Sequence, residues 1–261
     1  TTLFRSAHFF QKICLTLAEM LTLLLSLSLS WGAKSHRSIV NGARKLLLND
    51  GHKSAYEFYS NDKQLLNKLL EGCVDPDKLE NAGGTHYYVY DSSKPNKGQY
   101  YRNALIHKTK DTARTQLEKH YLYALKNFSK GDIETSILEL GRSCHYLGDI
   151  SCPPHAAGIQ YPILPILTNY HKLFEDHAKI VMTSGESKYH AKTANKNYGD
   201  FDANNYAVSI NELCRLSASQ KDKVKTMDES KWEEGIAKTS VYGEIYTAVL
   251  LEKFYRDVNE Q

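Results

Sequence analysis

The chain has 261 residues, of which 33 are basic and 30 acidic, giving a formal net charge of +3. With 41% hydrophobic residues, 24% charged residues and only 6 prolines, the composition excludes an intrinsically disordered chain and is typical of a folded protein. The near balance of charge provides no electrostatic field that would by itself indicate nucleic-acid binding.

The first thirty residues differ from the rest of the chain. Arg5 and Lys12 precede the apolar run ICLTLAEMLTLLLSLSLS, and small residues stand just before Trp31. A basic flank, an apolar stretch and small residues in this order predict a secretory signal peptide over residues 1–30 and a secreted mature chain. A membrane anchor is the alternative, but the apolar part is short for a span of about 20 residues.

The remainder of the chain has the pattern of successive amphipathic helices. Apolar residues recur at helical spacing in SIVNGARKLLL, AYEFYSNDKQLLNKLLEG, DTARTQLEKHYLYALKNF, IETSILELGRSCHYLGD and YGEIYTAVLLEKFYRDV. Gly72 is predicted to end the second of these segments, and Asp132 to cap the fourth. No segment alternates as a strand does, so residues 31–261 are predicted to form one compact all-α, multi-helix domain.

Four cysteines lie beyond the predicted signal peptide, namely Cys73, Cys144, Cys152 and Cys214. In an exported chain they permit disulfides, and four cysteines allow three full pairings among which the sequence does not choose. Their spacing is not that of a zinc finger, so the sequence indicates that they are poor candidates for metal ligands.

Two short motifs place ligand-forming side chains on one helix face. His145 and Asp149 in HYLGDISCPPH are four residues apart, as are His171 and Glu175 in HKLFE. His155 follows a Pro-Pro pair and is expected on a loop that folds back towards the first motif.

Further candidate ligands come from segments that are distant along the chain. They are His36 in WGAKSH, Asp75 and Asp77 in DPD, and His86 in THYY. Imidazole and carboxylate ligands suit zinc, and this set is too large for one ion. The sequence therefore predicts a multinuclear zinc site in a surface cleft, with two or three ions.

These motifs, in this order, resemble those of the zinc-dependent phospholipase C family of bacteria, which shares a superfamily with fungal single-strand-specific zinc nucleases. The matching pieces span about residues 31–175. They are Trp31 after a cleavable leader, SHRSIV, Pro-Asp at 76–77, GTHYY, HYLGDISCPPHAA and HKLFE.

The resemblance implies three zinc ions and a ligand set for each. The first zinc would be held by Asp77, His86, His145 and Asp149. The second would be held by His155, His171 and Glu175 with water. The third would be held by the α-amine and carbonyl of Trp31 with His36, and Asp149 would bridge it to the first. Asp77 would also orient or deprotonate the attacking water, which makes it the candidate catalytic residue, and Asp75 is the competing assignment.

The activity implied is hydrolysis of glycerophospholipids at a membrane surface to diacylglycerol and a phosphorylated headgroup, using metal-activated water. Where choline-specific relatives carry an acidic and aromatic cage, this chain has Lys34, Lys78 and Gly83. The two lysines suggest an anionic headgroup or another phosphoester as the substrate.

Two other readings stay open. A single-strand zinc nuclease or nucleotidase would bind nucleic acid through aromatic platforms such as the tyrosines of residues 87–101. A non-catalytic, zinc-stabilised binding protein would retain the ions without hydrolysis. The sequence indicates no obligate protein partner.

Overall fold

A computed structural model describes residues 31–79, 85–93, 111–159, 167–195, 197–201 and 206–259. The predicted signal peptide, Gly83 and most of the tyrosine-rich segment lie outside these residues. Within them the chain is helical and contains no strand, which confirms the all-α prediction. The helices are α1 Ala33–Asn49, α2 Lys53–Ser60, α3 Lys63–Gly72, α4 Pro76–Leu79, α5 Ala113–Ser129, α6 Ile133–Ser151, α7 Pro153–Ala156, α8 Tyr170–Val181, α9 Tyr206–Ala218, α10 Lys221–Val224 and α11 Glu229–Asn259.

Side-chain caps set several of these boundaries. AYEFYSNDKQLLNKLLEG forms two helices, because the Asp62 carboxylate accepts hydrogen bonds from the backbone N–H groups of Gln64 and Leu65 and so begins α3. Helix α3 ends at Gly72, as predicted. Asp132 caps α6 by accepting from the Thr135 N–H, which also confirms the sequence prediction.

Helix α6 is central to the architecture and packs against α3, α5 and α11, while α11 also runs along α1. Helices α3 and α6 touch at two glycines. A Cβ atom at Gly141 would lie 2.4 Å from the Leu69 carbonyl oxygen, and one at Gly72 would lie 2.1 Å from the Leu138 oxygen. Only residues without a side chain allow this approach.

The buried apolar side chains form two clusters. The larger contains Leu117, Leu140 and Leu250, and the smaller surrounds Trp31 and Phe174. Of the helices in the described ranges, none combines the length and apolar character needed to cross a bilayer. The four cysteines after residue 31 are all buried and unpaired, so they form no disulfide with one another.

Candidate metal centre

The centre is built on the last two turns of α6. His145 and Asp149 lie on one face of this helix and are fully buried. His145 Nδ1 lies 3.1 Å from the carbonyl oxygen of Cys73. Because a carbonyl can only accept, Nδ1 carries a proton, which leaves Nε2, directed towards Asp149, as the atom that can bind a metal.

Asp149 is surrounded by imidazoles from other parts of the chain. Its Oδ2 lies 2.8 Å from His86 Nδ1 and 3.3 Å from His145 Nε2, and its Oδ1 lies 3.5 Å from His36 Nε2. His145 Nε2 and His86 Nδ1 are 3.2 Å apart. Three segments that are distant in sequence therefore bring ring nitrogens to one carboxylate.

The structure separates the two aspartates of DPD. Asp77, in α4, has its Oδ1 3.6 Å from His145 Nε2, and its side chain is 12% exposed. Asp75 faces away and accepts hydrogen bonds from the Arg142 guanidinium, with Nη2 to Oδ2 at 2.7 Å. Of the two, Asp77 is the one that reaches the centre.

His155, His171 and Glu175 form a neighbouring group. Nδ1 of His155 donates to the His86 carbonyl and Nδ1 of His171 to the Ile159 carbonyl, both at 2.7 Å. Their Nε2 atoms lie 3.2 Å apart, and Glu175 Oε1 lies 3.4 Å and 2.8 Å from the Nε2 atoms of His155 and His171. Two lone pairs thus converge beside a carboxylate, an arrangement that a cation stabilises.

The expectation that His155 lies on a loop is wrong, because Pro153 and Pro154 open the short helix α7 that carries it. Proline is tolerated in the first turn of a helix, where the missing N–H has no intrahelical acceptor. The turn aims His155 at the backbone of residue 86.

Trp31 and His36 bring the start of α1 to the same place. The His36 ring stacks on that of His145, with centroids 4.1 Å apart. Gly148 makes room for it, since a Cβ there would lie 2.7 Å from His36 Nδ1. Trp31 is fully buried, and its indole N–H donates to the Ser151 hydroxyl at 3.2 Å.

Burial and proximity shift the ionisation of these groups. Burial alone would raise the pKa of Asp149, but the neighbouring His145 and His86 hold it well below the usual value. Burial opposes protonation of His145, yet Asp149 and Asp77 raise its pKa to about 9. For His36, burial and the nearby His145 lower the pKa well below the usual range. Asp149 is therefore a buried anion.

The donor set fits bound cations. Asp149 Oδ1 and His86 Nε2 are buried without a hydrogen-bond partner among the described residues. Three groups of side chains have ligand atoms within 4.8 Å of one another, namely His36 with His145 and Asp149, Asp77 with His86 and His145, and Cys152 with His155 and Glu175. Such convergence of buried imidazole and carboxylate is the chemistry of zinc.

Two residues at the centre were not recognised in the sequence. Tyr87 stacks on His155, with ring centroids 4.5 Å apart. The Cys152 thiol lies 3.6 Å from Glu175 Oε1, although the cysteine spacing argued against ligation. Cys152 lies within the HYLGDISCPPH motif, but only the fold shows that Glu175 is near it.

Four further histidines that the structure describes are not among the predicted ligands, and each pairs with a carboxylate elsewhere in the molecule. The pairs are His52 with Glu252, His120 with Glu139, His177 with Glu233 and His190 with Glu244.

Fold and site together define an all-helical protein with a buried cluster of zinc-type ligands. A family model described as zinc dependent phospholipase C matches residues 35–230. The chain belongs to the zinc-dependent phospholipase C family, which is a family of hydrolases.

Curated relatives are similar over part of their length. The chain is 32% identical over 139 residues to a phospholipase C of Clostridium novyi, covering 49% of this chain and 34% of the relative. It is 25% identical over 169 residues to a phospholipase C of Paraclostridium bifermentans, covering 59% and 42%. The matched region thus spans less than half of these relatives.

Solved structures show the same fold. The alpha-toxin of Clostridium perfringens from an avian strain aligns with a TM-score of 0.69 at 17% identity, covering 89% of this chain and 65% of the toxin. The alpha toxin of Clostridium absonum aligns with a TM-score of 0.71 at 19% identity, covering 90% and 66%. At these identities the likeness establishes the helical fold alone.

Proposed function

We propose that residues 31–261 form the catalytic domain of a secreted phospholipase C that cleaves glycerophospholipids at a membrane surface. The products are diacylglycerol and the phosphorylated headgroup. The observation that carries the proposal is the convergence of five histidines and three carboxylates from separate helices and loops on one buried centre. Membership of the zinc-dependent phospholipase C family supports the same reaction.

We assign three zinc ions to this centre. Asp77, His86, His145 and Asp149 would hold the first, His155, His171 and Glu175 the second, and Trp31 with His36 and Asp149 the third. The distances around Asp149 and Glu175 support the first two sets. Binding of the third zinc by the α-amine of Trp31 remains a prediction, because this amine exists only if the chain is cleaved after residue 30. Bound zinc supplies positive charge to phosphodiester oxygens and lowers the pKa of a bound water towards ~7.

The side chains of the chain have separable tasks in this reaction. Backbone carbonyls hold His145, His155 and His171 in the tautomer that presents Nε2. Asp149 provides a fixed buried anion. Asp77 is the partly exposed carboxylate, so it is placed to accept a proton from an incoming water and to orient it.

An anionic headgroup is the substrate preference that we propose. Lys34, Arg37 and Lys45 project from one face of α1 and line a surface cavity of about 350 Å³ together with His190. The three cations are exposed. No proposed zinc ligand lines this cavity, so its cations would favour anionic vesicles by long-range attraction to the membrane surface and not by contact with the reacting phosphate. Such a cavity attracts a phosphate-bearing or carboxylate-bearing headgroup more strongly than a zwitterionic one.

The nuclease alternative loses part of its support. Tyr87 and Tyr88 are only 3% and 2% exposed, so neither offers a face on which a base could stack.

Metal analysis combined with parallel substrate assays tests the proposal. The chain beginning at Trp31 should contain three zincs and should hydrolyse phosphatidylglycerol vesicles faster than phosphatidylcholine vesicles or denatured DNA. A chain with one residue added before Trp31 should lose one zinc, because its amine is displaced. Zinc binding without hydrolysis of any phosphodiester would support the non-catalytic reading instead.

Charge variants test the headgroup preference. Replacing Lys34, Arg37 and Lys45 by Gln should remove the preference for anionic vesicles while zinc content stays constant. A matched control replaces by Gln the exposed residues Lys63 on α3, Lys126 on α5 and Lys130 just after α5. Equal effects of the two triple variants would show that only net charge matters.

A further inference from the structure

One buried thiol lies beside the second ligand group. Cys152 is 0% exposed, and its Sγ lies 3.6 Å from Glu175 Oε1. Its ligand atom and those of His155 and Glu175 all lie within 4.8 Å of one another. The Cys152 thiol donates to a side-chain carboxylate, whereas the thiols of Cys73 and Cys214 donate to the backbone carbonyls of Leu70 and Tyr88.

The backbone around Cys152 fixes its side chain. The Cys152 N–H donates to the Asp149 carbonyl at 3.0 Å, and the Cys152 carbonyl accepts from the Ala156 N–H at 3.0 Å. The residue thus ends α6 and caps α7, and both neighbouring helices carry ligands. A side chain at this junction is positioned by the same contacts as Asp149 and His155.

The spacing matches that of shared metal ligands. A Zn–S bond of about 2.3 Å and a Zn–O bond of about 2.0 Å place sulfur and oxygen about 3.5 Å apart in a tetrahedral site. Cys152 Sγ and Glu175 Oε1 are 3.6 Å apart. In the same group, the Nε2 atoms of His155 and His171 are 3.2 Å apart, and Glu175 Oε1 lies 3.4 Å and 2.8 Å from them. Ligands of a single ion have separations of this size.

We propose that Cys152 is a thiolate ligand of the ion held by His155, His171 and Glu175, an inference that rests on the proposed zinc centre. Binding as a thiolate releases the thiol proton to solvent. Four protein ligands close the coordination of this ion, as in structural zinc sites. The open position for water then belongs to the ions near Asp77, and the second ion stabilises the junction between α6, α7 and α8.

Cobalt substitution provides a readout that is independent of activity. The full chain loaded with Co²⁺ should show a near-ultraviolet thiolate-to-cobalt charge-transfer absorption. Cys152→Ser and Cys152→Ala should each abolish this band, and Cys214→Ser, a buried thiol bonded to a backbone carbonyl, should retain it. In competition with a chelator, the Cys152 variants should release one zinc roughly 1,000-fold more readily, which exceeds the roughly 10–100-fold effect usual for outer-shell changes.

The possible outcomes separate this proposal from the broader one. If wild-type protein binds the expected ions without the charge-transfer band, Cys152 is not a ligand, while the proposed function stands. If no metal binds to well-folded protein, both proposals fail. Circular dichroism and the visible cobalt bands of the remaining ions show that the variants fold, so loss of the band then reports on ligation alone.

Discussion

Helix α6 carries two buried histidine–carboxylate clusters that balance charge in different ways. The first, here called the Arg142 network, joins Arg142 to Glu139 and Asp75, and Glu139 also to His120. The second, the Asp149 cluster, comprises His36, Asp77, His86, His145 and Asp149. Both place imidazole against carboxylate, and the first also contains a permanently charged guanidinium, which donates to Glu139 and Asp75.

The difference indicates which cluster needs a metal. Arg142 donates to both carboxylates of its network and supplies one permanent positive charge against their two negative charges at any ordinary pH. The ion-pair partners of Asp149 in the described chain are all imidazoles, from His36, His86, His145 and His155. In these two clusters, the histidine–carboxylate contact is a structural element where Arg142 joins it and a metal-site candidate where the carboxylate of Asp149 is met by several imidazoles.

Asp149→Ala provides the largest expected effect. Asp149 contacts ligands of two proposed ions, so its loss should release zinc and reduce kcat/KM for phospholipid by roughly 10,000-fold, given several kcal/mol of charge stabilisation. Metal analysis and vesicle hydrolysis measure both changes. An active variant with full zinc content would contradict the role of Asp149.

Replacing each aspartate of DPD compares the clusters directly. Asp77→Asn should lower activity roughly 1,000-fold with little change in the stability of the protein measured in chelator. Asp75→Asn should keep activity within about tenfold and lower the free energy of unfolding by ~2 kcal/mol, because it weakens hydrogen bonds to a charged group. The reverse pattern in urea unfolding and activity would reassign the catalytic carboxylate to Asp75.

Metal removal should affect one cluster and not the other. Zinc at about 100 times its Kd stabilises the folded state by ~2.7 kcal/mol, which in a domain of this size raises Tm by roughly 5–10 °C. Thermal unfolding with zinc and with a chelator measures this shift. Arg142→Ala should lower Tm but keep the zinc-dependent rise in Tm, whereas Asp149→Ala should lose that rise. Equal rises in both variants would contradict the assignment of the metal to the Asp149 cluster alone.

The smallest expected effect is a pH dependence of the Arg142 network. Burial opposes ionisation of Glu139, but hydrogen bonds and charge from His120 and Arg142 hold its pKa below the usual value. Because the pKa is depressed on folding, its contribution is complete above the unfolded pKa of about 4.3 and is lost as the pH falls through the folded pKa.

Urea unfolding in chelator from pH 7 to pH 3 checks this sign. The difference in unfolding free energy between wild type and Glu139→Gln should shrink towards the acid end. A difference that grows with acid would mean that Glu139 is destabilised as an anion.

The sequence predicts the helices well wherever apolar spacing and caps act locally. The cap at Asp132 and the end of α3 at Gly72 are both where the pattern places them. Helix α11 begins at Glu229, earlier than YGEIYTAVLLEKFYRDV indicated, because the buried positions of its first turns are mostly small or polar residues, such as Gly235 and Thr239. Local pattern is weak in that stretch, and tertiary packing decides the boundary.

The site could be predicted where ligands share a helix turn and not where contacts are distant. The pairs His145–Asp149 and His171–Glu175 follow from their spacing. The choice between Asp75 and Asp77 depends on Arg142, which meets Asp75 across 67 residues of sequence. No periodicity encodes such a contact, nor the proximity of Cys152 to Glu175.

The contact between Gly72 and Gly141 gives the molecule an unusual sensitivity to small substitutions. Gly72 precedes Cys73, whose carbonyl fixes the tautomer of His145. An alanine in a helix interior ordinarily stabilises by about 0.5–1 kcal/mol relative to glycine. Here the methyl group would push α3 and α6 apart and rotate the His145 imidazole. Gly72 and Gly141 are therefore needed for the geometry of the metal ligands, although neither has a side chain.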